Sequence, residues 1–145
     1  MLIREVLAHK TGAEIISVDP DISACEAVKL MSERDIGSLV VMRDGAMMGF
    51  ITERNILRGM HARGCAPIEI KVSELMEKEP LVANLDDSVD YARDAMTKSH
   101  TSHLVVFDGA TLFGVISFHD VARACLKEAS FENALLKRYI KHWPE

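Results

Sequence analysis

Apolar and polar positions along this chain fall into two blocks of the same grammar. In the first, a short extended run, Ile15-Ile16-Ser17-Val18, gives way to an Asp-rich turn. Ala24, Ala27, Val28, Leu30 and Met31 then recur at helical spacing. Ser23 and Glu26 open that stripe as a capping-box pattern, in which hydroxyl and carboxylate satisfy backbone N–H groups that the helix cannot. Leu39–Met42 predicts a buried strand, Asp44-Gly45 a hairpin turn and Met48–Ile51 the returning strand. A helix over Glu53–Met60 closes the block.

The second block repeats the order. Leu81-Val82-Ala83 is the extended run, and Ser88 can cap a helix whose stripe is Val89, Ala92, Ala95 and Met96. Leu104–Phe107, Asp108-Gly109 and Phe113–Ile116 predict a second hairpin, followed by a helix over Phe118–Ala129. At a shift of about 65 residues Asp21 meets Asp86, Ser23 meets Ser88, Met31 meets Met96 and Gly49 meets Gly114. The hairpins read VVMRDGAMMG and VVFDGATLFG, so one residue moves across the Asp-Gly and the register is restored.

Each unit is thus strand, helix, strand, strand, helix, an α/β arrangement with mixed sheets. One unit alone buries too little apolar surface for independent stability, so two packed about a pseudo-twofold are expected to share a core. The predicted division is 8–64 for the first repeat, 65–127 for the second and 128–145 for a C-terminal helical tail. Short helices over Ile3–Leu7 and Val72–Met76 lead into the two repeats, and Gly64-Cys65-Ala66-Pro67 reads as a loop. The tail carries Phe131, Leu135, Tyr139 and His142 on one stripe, a packing or dimer contact, and Pro144 ends it.

The residues that close each hairpin and open the next helix form one phrase written twice: GFITERN over 49–55 and GVISFHD over 114–120. With the upstream IGSLVV and the DG turn, this order resembles a CBS domain (cystathionine beta-synthase domain). Two copies in register resemble a CBS pair, or Bateman module, and the resemblance covers nearly the whole chain. It implies a regulatory module without catalytic function. Two clefts between the repeats would take an adenosine compound: AMP, ADP or ATP first, with NAD(H) or S-adenosylmethionine as alternatives. It also implies a homodimer and a regulated partner protein. A protein-binding or dimerisation module without nucleotide is the other reading.

Elementary chemistry gives the phrase a job. A helix N-terminus presents unpaired N–H donors and partial positive charge, which suit phosphate. Ser117 or Thr52 stands at the junction, where its hydroxyl can cap the helix or meet a phosphate. Asp120 lies one turn on, and an ionised carboxylate can accept from both hydroxyls of a ribose. Asn55 keeps one carbonyl acceptor without the charge, so the first-repeat contact is expected to be weaker. Both patterns are also ordinary helix-start signals.

Carried over from the family, one cleft combines Ser117, His119 and Asp120 with Ile16, Ser17, Gly37 and Ser38. The other combines Thr52, Arg54 and Asn55 with Val82, Ala83, Ser102 and His103. Small Gly37 would leave room for adenine. Arg54, His119 and His103 are the candidate phosphate cations, and contact through His119 would strengthen binding as its imidazole becomes charged at lower pH.

Composition narrows the field. A net charge of −5 disfavours nonspecific binding to nucleic acid or an anionic membrane. No apolar run approaches the roughly 20 residues of a membrane span. MLIREVLAHK carries charge at once, unlike a signal peptide, so a cytoplasmic protein is expected. Cys25, Cys65 and Cys125 are dispersed and include no CxxC, which fits reduced thiols better than a disulfide frame or zinc site. His100-x-x-His103 lacks the further ligands of a metal centre, and Cys65 has no base beside it in sequence. No metal, catalytic cofactor or catalytic residue is expected.

Overall fold

The computed structural model describes residues 1–10, 14–64 and 69–141. Readings that fall on Cys65, Ala66, Pro67, His142, Trp143 and Pro144 lie outside the described residues.

The first half runs α1 (Ile3–Ala8), β1 (Ser17–Val18), α2 (Ala24–Arg34), β2 (Ser38–Arg43), β3 (Ala46–Thr52) and α3 (Glu53–Arg63). The second runs α4 (Val72–Leu75), β4 (Val82–Asn84), α5 (Val89–Ser99), β5 (His103–Asp108), β6 (Thr111–Ser117) and α6 (Phe118–Lys141). Each half holds a three-stranded mixed sheet, β1-β2-β3 or β4-β5-β6, whose first strand is parallel and third antiparallel to the middle one.

The repeat extends to fine geometry. Ser23 Oγ accepts from the Glu26 amide at 3.1 Å and Ser88 Oγ from the Tyr91 amide at 3.0 Å, so both hydroxyl caps form, while the returning Glu26 carboxylate bond of the predicted capping box is not made among the described residues. Each hairpin bulges at the same place, between Val41 and Met42 and between Val106 and Phe107. The turns differ by one residue from the expected pair of Asp-Gly dipeptides. Asp44 and Gly45 form the first turn, both left-handed, at φ 52° and 77°. In the second, Asp108 still pairs with Thr111, so Gly109-Ala110 makes the turn and Gly109 supplies the left-handed position at φ 62°.

The expected shared core is replaced by two apolar clusters that exchange lead-in segments. Ile3, Val6 and Leu7 of α1 pack into the core of the second half, with Leu85, Met96, Leu104 and Ile116. Ile70 and Val72 pack into the first, with Leu39, Val41 and Ile51. Matching backbone hydrogen bonds stitch each exchange. The Ile3 and Arg4 amides donate to Asp87 and Leu85 carbonyls, both at 2.9 Å, while the Val72 and Ser73 amides donate to Ile22 and Pro20, also at 2.9 Å. Each small core therefore recruits the helix that precedes the other, which answers the shortage of surface in a single unit.

Two helical expectations change. Val28 is exposed, so the α2 stripe is narrower and centres on Ala24, Ala27 and Met31. The C-terminal tail is no separate helix: α6 continues unbroken for 24 residues. Its residues from Leu126 to Lys141 are exposed, including Phe131, Leu135 and Tyr139, so these stripe residues lie at the surface and not in either core. Cys25 and Cys125 are free thiols. No helix among the described residues is long and apolar enough to cross a membrane.

Candidate functional site

Both strand-to-helix junctions form reciprocal caps. The Thr52 amide donates to Asn55 Oδ1 at 2.8 Å and the Asn55 amide to Thr52 Oγ1 at 3.2 Å. The Ser117 amide donates to Asp120 Oδ2 at 2.9 Å and the Asp120 amide to Ser117 Oγ at 3.1 Å. The next helical residue is anchored across the hairpin: Glu53 N–H donates to Gly37 at 3.1 Å, and Phe118 N–H to Ser102 at 2.7 Å. These bonds aim the start of α3 and α6 at the openings beside Gly37 and Ser102.

Among the cavities of the described residues, two open at these helix starts. The larger, about 590 Å³, brings together Ile16, Gly37, Ser38, Ser117, His119 and Asp120. The smaller, about 310 Å³, brings together Thr52, Arg54, Asn55, Ser102 and His103. His103 and Glu53 line both and form the wall between them. Ser17, Val82 and Ala83 line neither. Strand side chains alternate in direction, so with Ile16 facing its cleft, Ser17 faces away. In the second half the register pairs Val82 with Val105 as Ser17 pairs with Val40, which makes Leu81, not Val82, the counterpart of Ile16. Leu81 and Pro80 accordingly line the smaller cavity, and Ala83 is buried in the core. A slip of one residue had exchanged the two faces.

The electrostatics differ between the clefts. Asp120 is 8% exposed, and Lys10 donates to its Oδ2 at 2.9 Å and to the Val115 carbonyl at 3.1 Å. Burial pushes the Asp120 carboxyl up, but the Lys10 hydrogen bond, the Ser117 amide and the Lys10 charge outweigh it and hold the group below its usual value. Asp120 is therefore ionised at neutral pH. Its Oδ1 accepts no hydrogen bond among the described residues. Lys10 lies between α1 and β1, ahead of the first sheet, and nothing in the repeated phrase pointed to it.

The three candidate cations fare differently from expectation. Burial, and then the neighbouring Lys10 charge, push the His103 imidazole below its ordinary value against the opposing pull of Asp120. It is neutral at neutral pH and stacks obliquely near Phe50, with centroids 6.3 Å apart. His119 Nε2 lies 2.7 Å from an Arg123 guanidinium nitrogen. A guanidinium cannot accept, so in a hydrogen bond between the two this nitrogen is the acceptor. The fixed cation there is Arg123, one turn along α6; its spacing from His119 is the signal that sequence reading passed over. Arg54 Nη1 donates to the carbonyl of His100, the left-handed residue that ends α5. It thus caps a helix of the other half. The space beside Gly37 is also partly filled, since a Cβ there would stand 3.0 Å from Glu53 Oε1 and 3.3 Å from His103 Cε1.

Among the described residues no group of three or more His, Cys, Asp or Glu side chains is placed to hold a metal ion. The repeat matches a known pattern: the model of the CBS domain fits twice, over residues 3–62 and 72–127. The chain belongs to the CBS domain family. It is a CBS pair.

A CBS domain-containing mitochondrial protein of Arabidopsis thaliana, CBSX3, is 32% identical over 126 residues, covering 83% of this chain. This CBS pair spans 61% of that relative's length. A protein with CBS domains from Burkholderia ambifaria superposes with a TM-score of 0.84 at 28% identity, covering 88% of this chain and 95% of that one. The CBS pair of MJ0100, solved in complex with 5′-methylthioadenosine and S-adenosyl-L-methionine, has the same fold, with a TM-score of 0.70 at 24% identity and coverage of 86% and 98%.

Proposed function

We propose that this CBS pair is a regulatory module that binds an adenosine nucleotide of the AMP or ATP type and signals its presence to a partner protein. The observation that carries the reading is Asp120: a buried, ionised carboxylate with a free Oδ1, on the wall of a 590 Å³ cleft and one helical turn beyond Ser117. The free oxygen accepts from the ribose hydroxyls, and Ser117 with the start of α6 receives phosphate. Ile16, Gly37 and Ser38 form the wall for adenine. Thr52 and Asn55 offer the weaker version of the site, because both the amide and the hydroxyl of Thr52 already donate to Asn55 Oδ1. The ligand complex of MJ0100 supports the ligand class through a likeness of fold. No catalytic step is assigned to the module, and a cytoplasmic setting fits its free thiols. The repeats are taken as 8–64 and 65–127, with 128–145 as the tail.

Self-association is part of the proposal, with a second copy as the occupant of the exposed face of α6. Leu126, Ala129, Asn133, Leu136 and Ile140 follow a 3–4 spacing, and all are exposed. That is an a/d seam with one polar position, and Glu132 and Lys137 fall at flanking positions where they would pair between parallel helices.

Titration calorimetry with AMP, ADP, ATP, NADH and S-adenosylmethionine tests the ligand reading. Saturable binding of at least one adenosine nucleotide is expected, weakened by Asp120→Ala more than by Asn55→Ala. Silence with all five favours the second reading, an interaction module without nucleotide, for which the exposed seam of α6 is the supporting observation.

A further inference from the structure

We propose that Lys10 makes the Asp120 cleft selective for adenosine ligands bearing a 5′-phosphate over uncharged adenosyl compounds. This rests on the nucleotide reading above and sharpens it.

Without ligand, Lys10 is already partly engaged. Its side chain is 26% exposed and spends two donors on Asp120 Oδ2 and the Val115 carbonyl. An ammonium has three N–H donors, and the third has no protein acceptor among the described residues. Oδ2 also accepts from the Ser117 amide, which places the ammonium beside the junction where α6 begins. A phosphate drawn to that helix start meets a part-buried cation with a donor to spare. The other cations of the cleft, Arg34 and Arg123, are exposed and better screened by water.

Lys10 also works against ligands that lack the phosphate. It already occupies one oxygen of the carboxylate that would read ribose, so a bare nucleoside competes for the remaining acceptor and offers the ammonium nothing. A phosphorylated ligand compensates the ammonium directly. The two effects have the same sign.

The other cleft lacks this device. Lys10 stands seven residues after Ile3, the first residue of α1, and Glu79 stands seven after Val72, the first of α4. Ile3 and Val72 make matching hydrogen bonds, to Asp87 and Ile22, so the two lead-ins are equivalent there. Lys10 lines the larger cavity and Glu79 the smaller, so the segments that follow α1 and α4 deliver opposite charges to the two clefts. The phosphate preference is therefore a property of the Asp120 cleft and is written outside the repeated phrase.

Calorimetric titration of the full chain with AMP and with adenosine decides it. The wild type should bind AMP about tenfold or more tighter, the size of one charge-assisted hydrogen bond. Lys10→Met should bring the two affinities close together, by weakening AMP and sparing or improving adenosine, while Lys10→Arg should keep the preference. If the Met variant does not fold, Lys10→Gln carries the same comparison, since it removes the charge and keeps a donor for Asp120. An unchanged AMP-to-adenosine ratio in the neutral variant, or equal affinities in the wild type, overturns the selectivity and leaves nucleotide binding standing. A wild type that binds neither compound overturns both.

Discussion

Replacing Asp120 by Ala removes two interactions whose sizes can be worked separately. The first is the cap on α6, two reciprocal hydrogen bonds at 2.9 and 3.1 Å, worth about 1 kcal/mol at a helix start. The second is the Lys10 hydrogen bond at 2.9 Å to a carboxylate that is 8% exposed. Charged hydrogen bonds contribute about 1.5–3 kcal/mol, and the low end applies because Lys10 can turn toward water when its partner is lost. The expected loss is about 2–3 kcal/mol, a drop in melting temperature of about 4–10 °C for a chain of this size. Asp120→Asn separates the terms. The first repeat already uses Asn55 for the same cap, so the Asn variant should keep the cap, lose the charge and cost only about 1 kcal/mol.

The pH dependence gives the sign. The folded-state carboxyl lies below its ordinary value of 3.8, so its charge-linked stabilisation is present above that value and disappears as pH falls through the lower, folded value. Urea unfolding of wild type and both variants at pH 7 and at successively lower pH would measure this. The wild-type advantage over Asp120→Asn should be full at pH 7 and shrink only in the acid range. A difference below about 0.5 kcal/mol at pH 7 for Asp120→Ala, or a wild-type advantage over Asp120→Asn that does not depend on pH, would refute the assignment of Asp120 as a charged, paired cap.

Two glycines at equivalent positions should respond differently. A Cβ on Gly49 would stand 2.7 Å from the Glu77 carbonyl oxygen and from Met76 Sδ, so Gly49→Ala should cost about 1–3 kcal/mol by thermal or urea unfolding. A Cβ on Gly114 meets nothing within 4 Å, and Gly114→Ala should change stability by less than about 0.5 kcal/mol. For self-association, Leu136→Glu combined with Ile140→Glu should reduce the mass measured by light scattering to that of one chain, with the fold intact by circular dichroism. Removing the Arg54 contact to the end of α5 by Arg54→Ala should lower stability by about 1 kcal/mol, because the guanidinium caps an unpaired helix carbonyl.

Much of the fold was legible because the same instructions are written twice. Capping residues, apolar stripes and hairpin turns in one copy checked those in the other, and their agreement pointed to paired sheets and helices. What escaped was long-range or fine-grained. Nothing local in Ile3, Val6 and Leu7 says that they pack with the second half; that exchange depends on which surface each lead-in meets. The faces of the first strands also escaped, since a slip of one residue put Val82 and Ala83 where Leu81 belongs. In the site, Ser117, Asp120, Thr52 and Asn55 were legible as a repeated phrase at a helix start. Lys10 was not, because it lies in a lead-in and reaches Asp120 across 110 positions of chain. His119 and Arg54 read as free cations until their partners, Arg123 and the His100 carbonyl, were placed beside them.

The Asp120 cleft is proposed to bind an adenosine nucleotide. Backbone amide NMR of the 15N-labelled chain, titrated with AMP, tests it most directly, because each cleft reports through its own residues. Saturable shifts are expected at Ser117, His119 and Asp120 together with Ile16, Gly37 and Ser38, with smaller or later ones at Thr52 and Asn55. Shifts confined to Thr52, Asn55 and Ser102, or none at saturating nucleotide, would contradict it.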